Sequence, residues 1–112
     1  MEVTIFIPTL NRSNYILRIL EYYKKSSFTG QILIFDSSIE REKQLNKKYV
    51  KRYLNNLNID YIWDVGWSFE LFKKYKEYFK KKNCIFSGDD DYISTEGLKK
   101  AINFLDKKKT KK

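Results

Sequence analysis

A chain of 112 residues with 42% hydrophobic and 17% aromatic residues is long enough to bury the core of one domain. It has no histidine and one cysteine, which excludes Ser-His-Asp and Cys-His catalysis, His-ligated zinc and an internal disulfide; no apolar run approaches the roughly 18 residues of a membrane span. Its 23 Lys and Arg against 14 Asp and Glu give a net charge of +9, a field that favours nucleotides, nucleic acid or acidic lipid headgroups as partners.

Val3 to Ile7 is apolar almost throughout, as befits a parallel strand covered on both faces. Pro8, with no N–H to donate, is expected to end it. Thr9-Leu10-Asn11-Arg12 follows as a loop at the carboxyl end. Ser13 is placed to cap a helix whose inner face carries Ile16, Ile19, Leu20 and Tyr23 at helical spacing. Ile32 to Phe35 is a second buried-type strand, closing in Asp36-Ser37-Ser38. Residues 40–56 read as a helix with Leu45, Tyr49, Val50, Tyr53 and Leu54 inward. Ile59 to Trp63 is a third strand with Asp64-Val65-Gly66 as its exit. Ser68 to Lys82 follows as a helix bearing Phe72, Tyr75 and Phe79 on one side. Cys84-Ile85-Phe86 is a short fourth strand, with Cys84 expected in the core, and it runs into Ser87-Gly88. Ser94 or Thr95 caps a last helix carrying Leu98, Ala101, Ile102 and Leu105. A domain of residues 1–106 is then expected to end in a disordered Lys-rich tail, residues 107–112.

The alternation of strands and helices predicts an α/β fold: an open, mostly parallel, Rossmann-like sheet of about four strands with helices on both faces. Such sheets bind ligands outside the carboxyl ends of the strands, at the topological switch point. Three of the four strands deliver polar groups to that edge: Thr9, Asn11 and Arg12; Asp36 and Ser37; Asp89, Asp90 and Asp91.

The acidic triplet needs a physical explanation. On an extended backbone Asp89 and Asp91 point the same way and Asp90 the other. Two carboxylates about 5 Å apart repel by roughly 3 kcal/mol at an effective dielectric near 20, so water, a cationic side chain or a divalent metal must offset them. Mg²⁺ and Mn²⁺ prefer carboxylate oxygens and are commonly shared with substrate phosphates. The first strand leads into neither G-x-G-x-x-G nor a P-loop, which removes the dinucleotide fingerprint and the P-loop ATPases. Asp36 is placed to accept hydrogen bonds from a base or ribose, and the acidic cluster to hold Mg²⁺ or Mn²⁺ against a diphosphate.

Ile5-Phe6-Ile7-Pro8-Thr9-Leu10-Asn11-Arg12 resembles the opening of the family 2-type glycosyltransferases of GT-A fold, whose first strand runs into Pro-Thr-x-Asn-Arg. Ile32 to Ser38 is similar to that family's second strand, which ends in Asp and small residues. Ser87-Gly88-Asp89-Asp90-Asp91-Tyr92-Ile93 resembles its Asp-x-Asp metal motif, and Thr95-Glu96-Gly97-Leu98 stands where the family often has Pro-Glu-Gly-Leu. The resemblance implies a domain that binds a nucleoside diphosphate sugar, a UDP-sugar foremost, with Mn²⁺ or Mg²⁺. Thr9 and Asp36 would meet the base, with Asn11, Arg12 and Ser37 shaping the nucleotide loop. Asp89 would lie near ribose and metal, Asp91 would bind metal and diphosphate, and Asp90 could replace either neighbour. The family's Asn-x-Gly…Ala-Arg-Asn segment is reduced here to Gly66. Its acceptor-binding half, with the general base of inverting members, normally follows the acidic motif, so the chain is expected to be a donor-binding half with an unknown acceptor.

The alternative is a non-enzymatic module that binds nucleic acid through Lys47, Lys48, Lys51, Arg52 and the Lys tail. Its aromatics fall on apolar helix faces rather than among the basic residues, which argues against stacking platforms. Cytoplasmic residence, with peripheral membrane contact through basic residues, fits the composition.

Overall fold

The computed structural model describes residues 1–66 and 69–110. Strands β1 (Val3–Thr9), β2 (Gln31–Asp36), β3 (Asn58–Trp63) and β4 (Asn83–Phe86) alternate with helices α1 (Ser13–Lys25), α2 (Glu40–Tyr53), α3 (Phe69–Lys74) and α4 (Thr95–Thr110). All strand pairs are parallel, in the order β3-β2-β1-β4. The chain lays β1, β2 and β3 out in one direction and then crosses back to place β4 on the far side of β1. Right-handed crossovers put α1 and α2 on one face of such a sheet and the return connection on the other. The packing follows: α1, α2 and α4 cover the face carrying Val3, Ile5, Ile7, Ile32, Ile34 and Ile59. The opposite face, with Phe6, Leu33, Phe35 and Ile62, is covered by Leu71, Tyr75 and Phe79. Helices thus lie on both faces, as the sequence pattern predicts.

The second face is built on Phe6, whose ring lies 5.4 Å from that of Phe79, 4.9 Å from Phe86 and 6.4 Å from Phe72. Beneath it sits Gln31, fully buried. Its Oε1 accepts from Thr4 Oγ1 at 2.5 Å and from the Lys80 N–H at 3.0 Å, while Nε2 donates to the Tyr78 carbonyl and to Asp60 Oδ2, each at 2.6 Å. The helix expected to run to Lys82 stops at Lys74, followed by a single 3₁₀ turn, Lys76–Tyr78, and the Gln31 bonds hold the chain beyond that turn out of a helix. Gln31 claims the backbone groups that a continuing helix would need, and leaving this buried amide unpaired would cost about 1–3 kcal/mol per group. Ser68, the expected start of that helix, lies outside the described residues.

Other expectations change for local reasons. β1 runs through Pro8 to Thr9. Pro8 shares its side of the strand with Phe6, whose carbonyl accepts from Ser87 N–H at 2.9 Å; the β4 pairing ends at Phe6, so the missing donor falls beyond the ladder. Arg12, not Ser13, occupies the cap position of α1 and makes no capping bond; the Ser13 hydroxyl donates to Glu42 Oε2 at 2.8 Å instead, tying α1 to α2. α2 ends at Tyr53, whose carbonyl accepts from both Asn56 and Leu57 N–H groups. Leu54 therefore leaves the inner stripe and is 51% exposed. Cys84 is exposed because β4 is an edge strand. Ser94 Oγ accepts from Gly97 N–H at 3.0 Å and caps α4. That helix continues through Thr110; Lys111 and Lys112 lie outside the described residues.

Candidate functional site

The topological switch point falls between β1 and β4, and there the first and last strands meet through side chains. Thr9, ending β1, donates its hydroxyl to Asp89 Oδ2 at 2.8 Å. Asp89 is 5% exposed, so its charge needs compensation. Arg12 supplies it: Nη1 lies 3.0 Å from Asp89 Oδ1, and Nη2 reaches 3.9 Å from Asp90 Oδ2. The guanidinium lies over the Tyr15 ring, 4.0 Å from its centre, a cation–π geometry. Tyr15 first, then Asp89 and Asp90, raise the Arg12 pKa against the opposing effect of desolvation.

Asp91 N–H donates to the Gly88 carbonyl at 3.2 Å, so the acidic triplet is a turn rather than an extended strand end. The expected pairing of Asp89 with Asp91 on one side is replaced by a different division. Asp89 turns inward to Thr9 and Arg12, while Asp90 and Asp91 are exposed. A Cβ on Gly88 would meet Asp90 Oδ1 and Asp91 Oδ2, each at 3.0 Å. These two carboxylates thus fold back over the same glycine. Hard carboxylate oxygens of this kind suit Mg²⁺ or Mn²⁺ completed by phosphate oxygens. Among the described residues no three acidic side chains form a metal-holding cluster by themselves.

The loops after β1 and β2 are stitched together. Asn11 adopts φ 54°, a left-handed conformation that Asn tolerates better than most residues. Its N–H donates to Ser38 Oγ at 2.7 Å, and its Oδ1 accepts from Ile39 N–H at 2.8 Å. Asp36 is fully buried. Its Oδ1 accepts from Ser38 N–H at 2.9 Å; its Oδ2 accepts from Asn46 Nδ2 at 2.9 Å and from the Tyr61 hydroxyl. Burial first, then Asp36, pushes the Tyr61 pKa far up, which keeps that hydroxyl a donor. Trp63 Nε1 donates to the Ser38 carbonyl at 2.9 Å, and Lys43 Nζ sits 4.4 Å above its ring. After β3, Asp64 accepts from Val65 N–H at 2.7 Å and Tyr75 hydroxyl at 2.6 Å. Its carboxylate is committed to α3 and the loop backbone, and Tyr75 is the main reason its pKa is lowered.

These loops enclose a cleft of about 460 Å³ walled by Leu10 and Phe35, with Thr9, Arg12, Ser37 and Asp89 as its polar lining and Gly66 at its margin. Of the residues singled out from sequence, Thr9, Arg12, Ser37 and Asp89 converge on the cleft, and Arg12 links it to Asp90. Asn11 and Asp36 stand behind it, their polar groups spent on holding loop backbone. The walls Leu10 and Phe35, the stacking partner Tyr15 and the Asp36 partners Asn46 and Tyr61 were not foreseen. Tyr15 was within reach, because it stands three residues after Arg12 at the start of a helix.

No family model matches the chain, and no curated protein matches it in sequence. Among solved structures, S. aureus TarS 1–349 in complex with UDP-GlcNAc aligns with a TM-score of 0.72 over 96% of this chain, at 26% identity. The fold is that of the GT-A glycosyltransferases. The same enzyme fragment with UDP aligns at TM-score 0.71 and 24% identity. Mannosyltransferase PcManGT from Pyrobaculum calidifontis, in complex with GDP-Man and Mn²⁺, aligns at 0.75 over 93% of this chain. At 14% identity that likeness is one of fold alone. The chain matches the N-terminal half of the GT-A fold, and it spans 32% of the length of TarS 1–349 and of PcManGT.

Proposed function

We propose that this chain is the donor-binding part of a metal-dependent glycosyltransferase, taking a nucleoside diphosphate sugar, with a UDP-sugar the preferred class and Mn²⁺ or Mg²⁺ the ion. The observation that carries this reading is the Thr9–Asp89–Arg12 junction, which puts a buried carboxylate, a cation and an open cleft together at the switch point of a GT-A sheet.

In this reading Leu10 and Phe35 pack the base, and Ser37 offers its hydroxyl to base or ribose. The Thr9 hydroxyl, donating to Asp89, keeps its lone pairs for the ligand. Asp36 acts through the backbone: with Asn46 and Tyr61 it fixes the Ser37–Ser38 segment, which is a positioning role rather than a contact. Asp90 and Asp91 would hold the divalent ion, with Asp89 braced behind them. When bound, the ion neutralises charge developing on the departing diphosphate. Arg12 faces the same phosphates from the cleft side. Exposed Lys47, Lys48, Lys51 and Arg52 give α2 a cationic outer face suited to an anionic membrane surface. Among the described residues no helix is long and apolar enough to cross a membrane.

Calorimetry of UDP with and without Mn²⁺ tests the reading. Binding is expected to tighten when Mn²⁺ is present, and Asp91→Asn to weaken the metal-dependent part about tenfold, the effect of about 1.4 kcal/mol. UDP binding that ignores both the ion and Asp91 would refute it.

A further inference from the structure

We propose that Arg12 is the resident counter-ion of the acidic turn and makes tight metal binding conditional on the nucleotide. The inference rests on the donor-site reading above and adds a coupling that the reading does not require.

The acidic turn already has a cation. Arg12 lies 3.0 Å from the buried Asp89 and 3.9 Å from the exposed Asp90. It sits over the Tyr15 ring, 4.0 Å from its centre, and forms part of the cleft lining. One guanidinium thus bridges the structural carboxylate and one of the two exposed carboxylates that reach over Gly88. A divalent ion approaching Asp90 and Asp91 meets this positive charge beside it, and the two cations repel. A diphosphate reverses the sign of that interaction. Its oxygens accept hydrogen bonds from the guanidinium, whose fork suits phosphate geometry, and ligate the ion at the same time. Each cation then favours the phosphate that the other holds. By linkage the ion must tighten nucleotide binding by the factor by which the nucleotide tightens ion binding.

The test is Mn²⁺ titration followed by the electron paramagnetic resonance signal of the free ion, with and without UDP, in the wild type and in Arg12→Gln. Arg12→Gln is expected to bind Mn²⁺ alone about tenfold tighter, the effect of one unit charge near a divalent ion in a water-like dielectric. UDP should enhance Mn²⁺ binding about tenfold less in the variant than in the wild type, by the same charge argument. Arg12→Lys keeps the charge and should retain most of the enhancement. Because Arg12→Gln leaves Asp89 buried without its cation, the same comparison is made between Asp89→Asn and Asp89→Asn/Arg12→Gln, where no buried charge is stranded. Unchanged or weaker Mn²⁺ binding on loss of Arg12, in either background, overturns the inference while leaving the donor site standing. A wild type that binds no Mn²⁺ even with UDP present removes both, and that failure is visible before any variant is made.

Discussion

Replacing Thr9 by Val tests the link between β1 and β4 with almost no change in side-chain shape. The hydroxyl that donates to Asp89 Oδ2 at 2.8 Å is lost, and both residues are nearly buried, at 6% and 5% exposure. Water therefore cannot readily take the place of the donor. A hydrogen bond to a charged, buried acceptor contributes about 1.5–3 kcal/mol. Arg12 still compensates Asp89 Oδ1, so the lower part of that range applies, and about 2 kcal/mol is expected from the cost of one unsatisfied buried acceptor. With a urea dependence of about 1.5 kcal/mol per molar, the midpoint of unfolding should fall by roughly 1.3 M. Thr9→Ser restores the donor and should recover most of the loss, giving up only the burial of one methyl, about 0.8 kcal/mol. Equilibrium urea unfolding followed by tryptophan fluorescence reads the change, with the slope checked for constancy. A loss below about 0.5 kcal/mol for Thr9→Val, the level of an ordinary surface substitution, would show that the bond does not hold the two loops together.

Tyr61→Phe deprives buried Asp36 of one donor and should cost about 1–3 kcal/mol in the same unfolding assay, with UDP binding weakened as the Ser37–Ser38 segment loosens. Gly30→Ala would put a Cβ 2.5 Å from the Phe28 ring and 2.6 Å from the Val3 carbonyl oxygen; overpacking of that kind should cost about 2 kcal/mol in thermal or urea unfolding. Asp64, with its pKa lowered from 3.8 mainly by Tyr75, contributes stability above the ordinary carboxylate range that is lost as pH falls through its depressed value. Tyr75→Phe should raise the Asp64 pKa toward the ordinary value, shrinking that contribution and moving the Asp64 titration to higher pH, as read by carboxyl carbon NMR; an unmoved titration refutes the assignment.

What could be read from the chain was what local pattern encodes. The apolar runs of β1 and β2 marked central strands, and helical spacing found Ile16, Ile19, Leu20 and Tyr23, all buried in the structure. The gathering of Thr9, Arg12, Ser37 and Asp89 at one edge followed from the parallel topology. The errors came from partners distant in sequence. Nothing near Tyr78 announces that Gln31, 47 residues earlier, will take its carbonyl and keep the chain beyond from continuing as a helix. Asp36 has the profile of a strand-end polar group, and its bonds to Asn46 and Tyr61 come from 10 and 25 residues away. The local pattern does not say whether the acidic triplet stays extended beyond β4; the backbone bond from Asp91 to Gly88 turns the chain at once.

The bond between Thr9 and Asp89 joins residues 80 apart in the chain. Contacts of such long range close late, after local helices and neighbouring strands have formed. A nascent chain that has paired β1, β2 and β3 would look largely native by circular dichroism and yet have no cleft. During refolding, nucleotide binding should appear in the slowest phase, which makes ligand capture a stricter reporter of complete folding than any spectroscopic measure of helix or sheet.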